Sequence, residues 1–335
     1  MSTKSSQSFG AVLALTGLSL ALVGPANAAK ITVTGDCSLE EAIANANANA
    51  TIYPDCTPEV PAVGYNVKGF DRIFIERNAV RLDTEQTITG DLLIRGLPTR
   101  EDTSTDDTTT IKGGLTDTER LFYVEPGVRV DLRHLTLRGG VAHDKSFRGG
   151  CLYNNGGDVV IRDSVVKRCE ADGDGGAIYN TATGDLTIER TIIKQNDSGD
   201  DGGAIANREG GTVQLKGSSE CFRNTADAAS DTANGGCLDS RDENSYVHIR
   251  NALCFENEAG GNGGCLYTGS LATARISFPA TTVIEDNSAY TDNGGGVGTD
   301  DATSVTITGN GSYIANNTPN NCDPSVTTKS GAICN

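Results

Sequence analysis

The chain has 335 residues, of which 44 are acidic and 27 are basic, giving a formal net charge of −17. Nucleic acids and anionic membranes are bound through clustered lysine and arginine, so this balance argues against both as partners. It also disfavours unaided binding of polyanions such as pectate, and it favours solubility of an extended, strand-rich body.

The first 28 residues predict a secretory signal peptide. Lys4 gives a positive start, an apolar run extends from Phe9 to Val23, and Ala26–Ala28 offers a small-residue cleavage site. The run is too short and wrongly flanked for a membrane span. We therefore expect a monomer that crosses no membrane and is secreted, extracellular or at the cell surface, with bacterial outer membrane association left open.

Residues 29–70 predict an N-terminal cap. It begins with a strand from Lys30 to Thr34, and Ser38 with Glu41 three residues later forms a capping box that starts a helix. The helix places apolar residues at the spacing of one amphipathic face, namely Leu39, Ala42, Ile43 and Ala46. The first coil of a solenoid exposes apolar surface and an unpaired edge, which such a helix would cover.

Residues 71–335 predict the solenoid itself, closed at its C-terminal end by a disulfide. Its first coils are irregular and are represented by Asp71–Ile75, Thr87–Gly96 and Val128–Gly140. The segment from Pro98 to Thr110 is polar and rich in Asp and Thr, which predicts a protruding loop.

A Gly-Gly-small-aliphatic phrase then recurs six times. The copies start 26 to 33 residues apart, at Gly149, Gly175, Gly202, Gly235, Gly263 and Gly294. A period in this range is typical of stacked structural units and excludes an ordinary globular core.

Two further patterns run in register with that phrase. One is an apolar-x-apolar pair, such as Leu186 and Ile188. The other is an apolar residue three positions before an Asn slot, as in Ile193 before Asn196. Short alternating stretches between turn residues indicate strands. Because parallel crossovers are right-handed, we predict an all-β, right-handed, single-stranded parallel β-helix with three strands per coil.

The ten cysteines all follow the predicted signal and predict five disulfides in an oxidising compartment. In the repeat register Cys221 aligns with Cys254, and Cys237 aligns with Cys265, so stacked neighbours are expected to pair. The remaining expected pairs are local in sequence: Cys37–Cys56, Cys151–Cys169 and Cys322–Cys334. No CxxC or clustered Cys/His pair indicates zinc.

Two stretches carry a family resemblance. Cys37–Asn47 (CSLEEAIANAN), followed by Asp71–Ile75, resembles the N-terminal CSLREA-type domain of exported bacterial proteins, with Glu40 in place of the family's Arg. The Gly-Gly phrases and the aromatic-then-Asn ends at Phe222–Asn224 and Phe255–Asn257 resemble the repeats of polymorphic outer membrane proteins. The resemblance implies a secreted or surface β-helix of the pectin-lyase-like class, often an adhesin-like passenger, and it identifies no reaction.

Acidic residues gather in the loops before the glycines. Asp172, Asp174, Asp200 and Asp201 are candidate Ca²⁺ ligands, because calcium favours clusters of carboxylate oxygens. They are also candidates for a carboxylate pair in glycoside hydrolysis, and the third interpretation is a turn-forming, solubilising role. We expect no other cofactor.

Carbohydrate or another cell-surface component is the expected partner. Tyr153 and Tyr179 hold equivalent positions in adjacent coils, and Tyr267 recurs three coils later, so a sugar face is one possible ligand. Polygalacturonases on this fold carry Asn-Thr-Asp, an Asp pair, Gly-His-Gly and Arg-Ile-Lys, and of these only the Asp pair, Asp200–Asp201, is present. We therefore expect a non-catalytic surface, adhesion or structural module, and the alternative is a polysaccharide hydrolase or lyase that uses the acidic loop residues.

Overall fold

The computed structural model describes residues 29–59, 70–97, 108–113, 119–143, 148–269, 271–277, 282–291, 294–300, 305–308, 313–324, 326–329 and 334. The predicted signal peptide lies outside these residues. The described chain forms a right-handed parallel β-helix, as predicted, with three sheets that run along its length.

The largest sheet, called here the long sheet, has 18 strands in two neighbouring ladders. The first ladder contains β1 (Lys30–Val33), β2 (Asp71–Ile75), β5 (Leu92–Arg95), β8 (Arg129–Arg133), β12 (Asp158–Arg162), β16 (Asp185–Glu189), β26 (Thr273–Ser277), β30 (Val305–Thr308) and β32 (Thr327–Lys329). The second contains β3 (Ala79–Arg81), β6 (Thr109–Lys112), β9 (Leu135–Arg138), β13 (Val165–Lys167), β17 (Ile192–Lys194), β27 (Val283–Glu285) and β31 (Tyr313–Ala315). The long strands β20 (Thr212–Phe222) and β23 (Tyr246–Phe255) run through both ladders.

The Gly-Gly phrases lead into an eight-stranded sheet, called here the turn sheet. Its strands are β4 (Gln86–Ile88), β7 (Phe122–Val124), β11 (Leu152–Asn155), β15 (Ile178–Thr181), β19 (Ile205–Asn207), β22 (Leu238–Ser240), β25 (Leu266–Thr268) and β29 (Val297–Thr299). A sheet of two-residue strands closes each coil after the Asn slot: β10 (Val141–Ala142), β14 (Glu170–Ala171), β18 (Asp197–Ser198), β21 (Thr225–Ala226), β24 (Glu258–Ala259) and β28 (Ser288–Ala289). Sequence analysis did not predict these two-residue strands.

The stacking register is the predicted one. Leu186 pairs with Val213, and Ile193 pairs with Cys221, so like positions lie directly above one another. Their side chains are buried in a single core that runs the length of the solenoid. Burying these columns supplies the apolar area that a single coil lacks.

The predicted capping helix also forms. Helix α1 (Leu39–Ala48) begins at Ser38, whose hydroxyl accepts the backbone N–H of Glu41 while the Glu41 side chain accepts the N–H of Ser38. A 3₁₀ turn (Pro54–Cys56) follows. The first strand of this cap, β1, pairs in parallel with β2 and so belongs to the long sheet. In the predicted loop, residues 98–107 lie outside the described residues, and the expectation is wrong at Thr109, where strand β6 begins.

Asn side chains form two internal ladders. In the predicted one, the Asn196 amide donates to Asn224 Oδ1 at 2.9 Å, and Asn224, Asn257 and Asn287 each repeat that bond to the next coil. The second ladder joins Asn154, Asn180, Asn207 and Ser240 at 2.7 to 3.0 Å. Buried polar groups need such partners, so both ladders have a structural role.

Two of the five predicted disulfides are wrong. Cys37–Cys56, Cys151–Cys169 and Cys322–Cys334 form as predicted, whereas the other four cysteines pair as Cys221–Cys237 and Cys254–Cys265. Cys221 and Cys254 do stack in adjacent coils. However, each bonds across the core to the turn sheet, with Cα atoms 6.2 and 6.0 Å apart. The two inward columns face each other, and this alignment decides the pairing.

Candidate functional site

The outer face of the turn sheet is buried from Tyr179 onward and half-buried at Tyr123 and Tyr153. Its outward column consists of Tyr123, Tyr153, Tyr179, Ala206, Asp239, Tyr267 and Gly298, in that order along the stack. The Gly-Gly turns fold back against the strands and cover this column. A Cβ added to Gly175, whose φ is +69°, would lie 2.3 Å from the carbonyl oxygen of Ile178, so only glycine fits.

Five charged residues form an ionic cluster on this face: Asp174, Asp201, Asp239, Arg208 and Arg241. Asp174 and Asp201 are the residues just before two successive Gly-Gly turns, and Asp239 lies in strand β22. Arg208 and Arg241 each follow the last residue of a turn-sheet strand, so they occupy equivalent places in adjacent coils.

Arg208 contacts all three carboxylates, and Arg241 contacts two of them. Arg208 donates from Nη1 to Asp239 and from Nη2 to Oδ2 of Asp201 at 3.2 Å, and its Nη2 lies 3.7 Å from Oδ1 of Asp174. Arg241 donates from Nη2 to Oδ1 of Asp201 at 2.6 Å and from Nε to Oδ2 of Asp239 at 3.1 Å. Asp201 also accepts the backbone N–H of Asn234 at 2.9 Å.

The cluster is buried, so its charged groups are shielded from solvation by water. Asp239 is fully buried, and Asp174, Asp201 and Arg208 are 5 to 7% exposed. Burial raises the pKa of Asp201 to about 7, the charge of Asp239 adds to that rise, and Arg241 and Arg208 oppose it. Burial also raises the pKa of Asp239. A third arginine also contacts the cluster, because Nε of Arg148 lies 3.3 Å from Oδ2 of Asp174.

Tyrosine and arginine side chains extend the face on both sides of the cluster. Tyr123 and Tyr153 stack with ring centroids 5.2 Å apart, and Tyr179 follows at 5.0 Å. The guanidinium of Arg148 lies 4.9 Å from the Tyr179 ring centroid and donates to its hydroxyl at 2.7 Å. On the other side, Arg241 lies 5.1 Å from the ring of Tyr267.

The predicted sugar-binding tyrosines are in register, but two of the three are covered. Tyr153 and Tyr179 are paired as expected, and Tyr267 lies three coils further on. Tyr179 and Tyr267 are only 2% and 4% exposed. Tyr153 is half-buried, and its ring lies between those of Tyr123 and Tyr179, so it is not an open platform for a sugar.

The predicted calcium ligands are partly brought together. Carboxylate oxygens of Asp174, Asp200 and Asp201 lie within 4.8 Å of one another, whereas Oδ1 of Asp172 lies 3.4 Å from Nδ1 of His143. A metal would compete with Arg208, which already lies beside Asp174 and Asp201. The calcium site stays a prediction. The carboxylates of Asp174 and Asp201 already have the guanidinium of Arg208 beside them, which favours this side chain over a bound metal ion.

A second surface feature is a solvent-open cleft of about 320 Å³ at the corner between the two ladders of the long sheet. It is lined by Glu189, Lys216, Gly217, Arg250 and Asn251. Its only lining carboxylate, Glu189, is engaged by Arg190 and lies 3.7 Å from Arg162. The cleft therefore offers no unengaged acid for hydrolysis.

Sequence reasoning missed Asp239, Arg208 and Arg241. The signal for them lies in the fourth phrase, GGCLDS, where Asp239 replaces the Tyr or Ala of the preceding coils. Arg241 follows that phrase and Arg208 follows the preceding one. A carboxylate in an aromatic column, next to two aligned arginines, indicates an ion network.

Among the described residues, no helix is long and apolar enough to cross a membrane. No protein-family model, no curated protein and no solved structure matches the chain.

Proposed function

We propose that the protein is a secreted, non-catalytic binding or adhesion module whose β-helix serves as a rigid platform. The observation that carries this proposal is that the carboxylates of the ionic cluster are already hydrogen-bonded by arginine side chains. Asp201 and Asp239 each accept from both Arg208 and Arg241, so these carboxylates are engaged by the protein's own donors. A general acid or nucleophile needs a carboxyl group that is open to the substrate.

Three features support an extracellular setting. All ten cysteines are in disulfides, which persist in oxidising compartments. The N-terminal residues have the pattern of a signal peptide, and the capping helix with its Cys37–Cys56 bridge lies in the stretch that resembles the CSLREA-type domain. The resemblance of the Gly-Gly phrases to the repeats of polymorphic outer membrane proteins favours an adhesin-like role.

The second candidate function is a polysaccharide hydrolase or lyase. It is favoured by the pKa of Asp201, which burial raises to about 7, in the range suited to a general acid at neutral pH. The carboxylates of Asp174 and Asp200 lie within 4.8 Å of Asp201. Such a mechanism requires Arg241 to release Asp201 when substrate binds.

A polysaccharide panel separates the two functions. The purified mature protein is incubated with neutral and acidic polysaccharides, with and without calcium, and both new reducing ends and bound polymer are measured. Our proposal predicts binding without turnover. Turnover that is lost in Asp201→Asn, with the same thermal transition as the wild type, would overturn it. Asp185→Asn, at an exposed position, is the matched control.

A further inference from the structure

A single file of positive side chains runs up the outer face of the second ladder of the long sheet. We call it the cationic ladder, and the register of five consecutive strands brings its members together: Arg81, Lys112, Arg138, Lys167 and Lys194. The next two places in the same column are Phe222 and Phe255. With strands about 4.8 Å apart, the five cations cover roughly 20 Å.

The cationic ladder is solvent-facing. Each member follows an inward-pointing buried residue, such as Val80, Leu137 or Ile193, so it points away from the core. Arg81 and Arg138 are exposed, and the three lysines are partly exposed. This concentration of positive charge occurs in a chain with a net charge of −17.

Like charges directly opposite each other on neighbouring strands are destabilising. Two other arginines in or beside the long sheet lie against carboxylates: Arg133 contacts Asp131 at 2.5 Å, and Arg190 contacts Asp163 at 2.6 Å. Within the described part of the chain, Arg81, Lys112 and Arg138 have no such ion pair. The strand register thus stacks three cations that repel one another on one surface.

We propose that the cationic ladder binds a linear acidic polysaccharide whose chain lies along the axis of the β-helix. A pyranose residue lengthens a linear glycan by about the spacing of neighbouring strands, so a chain along the axis carries about one carboxylate for each cation of the ladder. Each neutralised charge releases condensed counterions, which is the main driving force for binding a polyanion. This inference names the ligand of the binding module proposed above and depends on that proposal.

The aromatic end of the column argues against single-stranded nucleic acid. Proteins that bind such strands present open aromatic faces on which bases stack. Here Phe222 and Phe255 stack on each other, with centroids 4.7 Å apart and planes at 9°. Lys194 lies 5.6 Å from the centroid of the Phe222 ring. Both faces of Phe222 are therefore occupied.

Binding of fluorescently labelled oligogalacturonate to the full mature protein tests the proposal, and anisotropy is measured from 50 to 200 mM salt. Five contacts predict a log–log salt slope of about −3.5 and a loss of affinity of about 100-fold over that range. Arg138→Gln/Lys167→Gln/Lys194→Gln should reduce the slope to about −1.4. The control Lys30→Gln/Arg129→Gln/Arg250→Gln removes the same charge from other positions and should keep the slope.

Equal loss of affinity in both triple variants would overturn the proposal, since only net charge would then matter. Tighter binding of a single-stranded oligonucleotide than of oligogalacturonate would also overturn it. A neutral dextran should not bind. Reducing ends are measured in the same samples: turnover refutes the non-catalytic function, whereas absence of binding without turnover refutes only the cationic ladder as the glycan site.

Discussion

Positively charged side chains have opposite surroundings on the turn sheet and on the long sheet. On the turn sheet, Arg208 and Arg241 are held between three buried carboxylates. On the long sheet, Arg81, Lys112 and Arg138 stack in register on the surface. A buried charge must be paired inside the molecule, whereas an exposed row can be neutralised from outside. The contrast separates charges that stabilise the fold from charges available to a ligand.

The largest expected effect is on the buried side of this contrast. Asp239→Ala leaves Arg208 and Arg241 without their most deeply buried partner, and removing one member of a buried ion pair costs about 3–5 kcal/mol. We expect the free energy of unfolding, measured in urea, to fall by that amount. Asp185→Ala changes an exposed carboxylate and should fall within about 0.5 kcal/mol of the wild type. Equal losses of unfolding free energy in the two variants would contradict the distinction between buried, paired charges and exposed ones.

One disulfide connects the two regions. Cys221 precedes Phe222 on the long sheet, and Cys237 lies two residues before Asp239 on the turn sheet. Replacing both cysteines by serine opens a loop of 16 residues, for which we expect a loss of about 3 kcal/mol. Peptide mapping of the non-reduced protein should recover Cys221 linked to Cys237. Recovery of Cys221 linked to Cys254 would contradict the structure.

The ionic cluster should also make stability depend on pH. The pKa of Asp201 is about 7 in the folded protein and near 3.8 when unfolded, so the folded state binds the proton more tightly. This contribution is fully present below pH 3.8 and is lost as the pH rises towards 7. Urea unfolding at successive pH values should give a slope of at most about 1.4 kcal/mol per unit from this group. Asp201→Asn should flatten that slope, and an unchanged slope would refute the assignment to Asp201.

The smallest effect on stability is expected from a substitution in the cationic ladder. Arg138→Gln removes the central charge of the row and should stabilise the protein by a few tenths of a kcal/mol at low salt, because neighbouring cations then repel less. Salt screens exposed charges, so the gain should disappear near 1 M salt. Thermal unfolding at two salt concentrations measures this. Destabilisation at low salt would show that Arg138 has an internal partner.

The sequence predicts the architecture well because equivalent residues of successive repeats stack above one another and form columns. The repeat spacing alone aligns Leu186 with Val213, and it aligns Asn196 with Asn224 in the same way. Disulfide pairing could not be predicted in the same way. The alignment of Cys221 with Cys254 says which residues stack, whereas pairing depends on which inward columns face each other across the core.

The two charged regions differ in how far the sequence reveals them. Asp239 breaks an aromatic column that is visible in the phrases, so its cluster could have been found. The cationic ladder begins at Arg81 and Lys112, in coils that carry no Gly-Gly phrase, and their register with Arg138 emerges only from the strand pairing. The total charge of the chain could not indicate this row either, because net charge contains no information about position.

One pair of variants tests the central claim most directly. Arg208→Met and Arg138→Met remove the same charge and leave a similar apolar chain, one from the ionic cluster and the other from the cationic ladder. We predict that Arg208→Met lowers the free energy of unfolding in urea at pH 7 by about 3–5 kcal/mol, whereas Arg138→Met leaves it within about 0.5 kcal/mol. Similar losses for both variants would contradict the account.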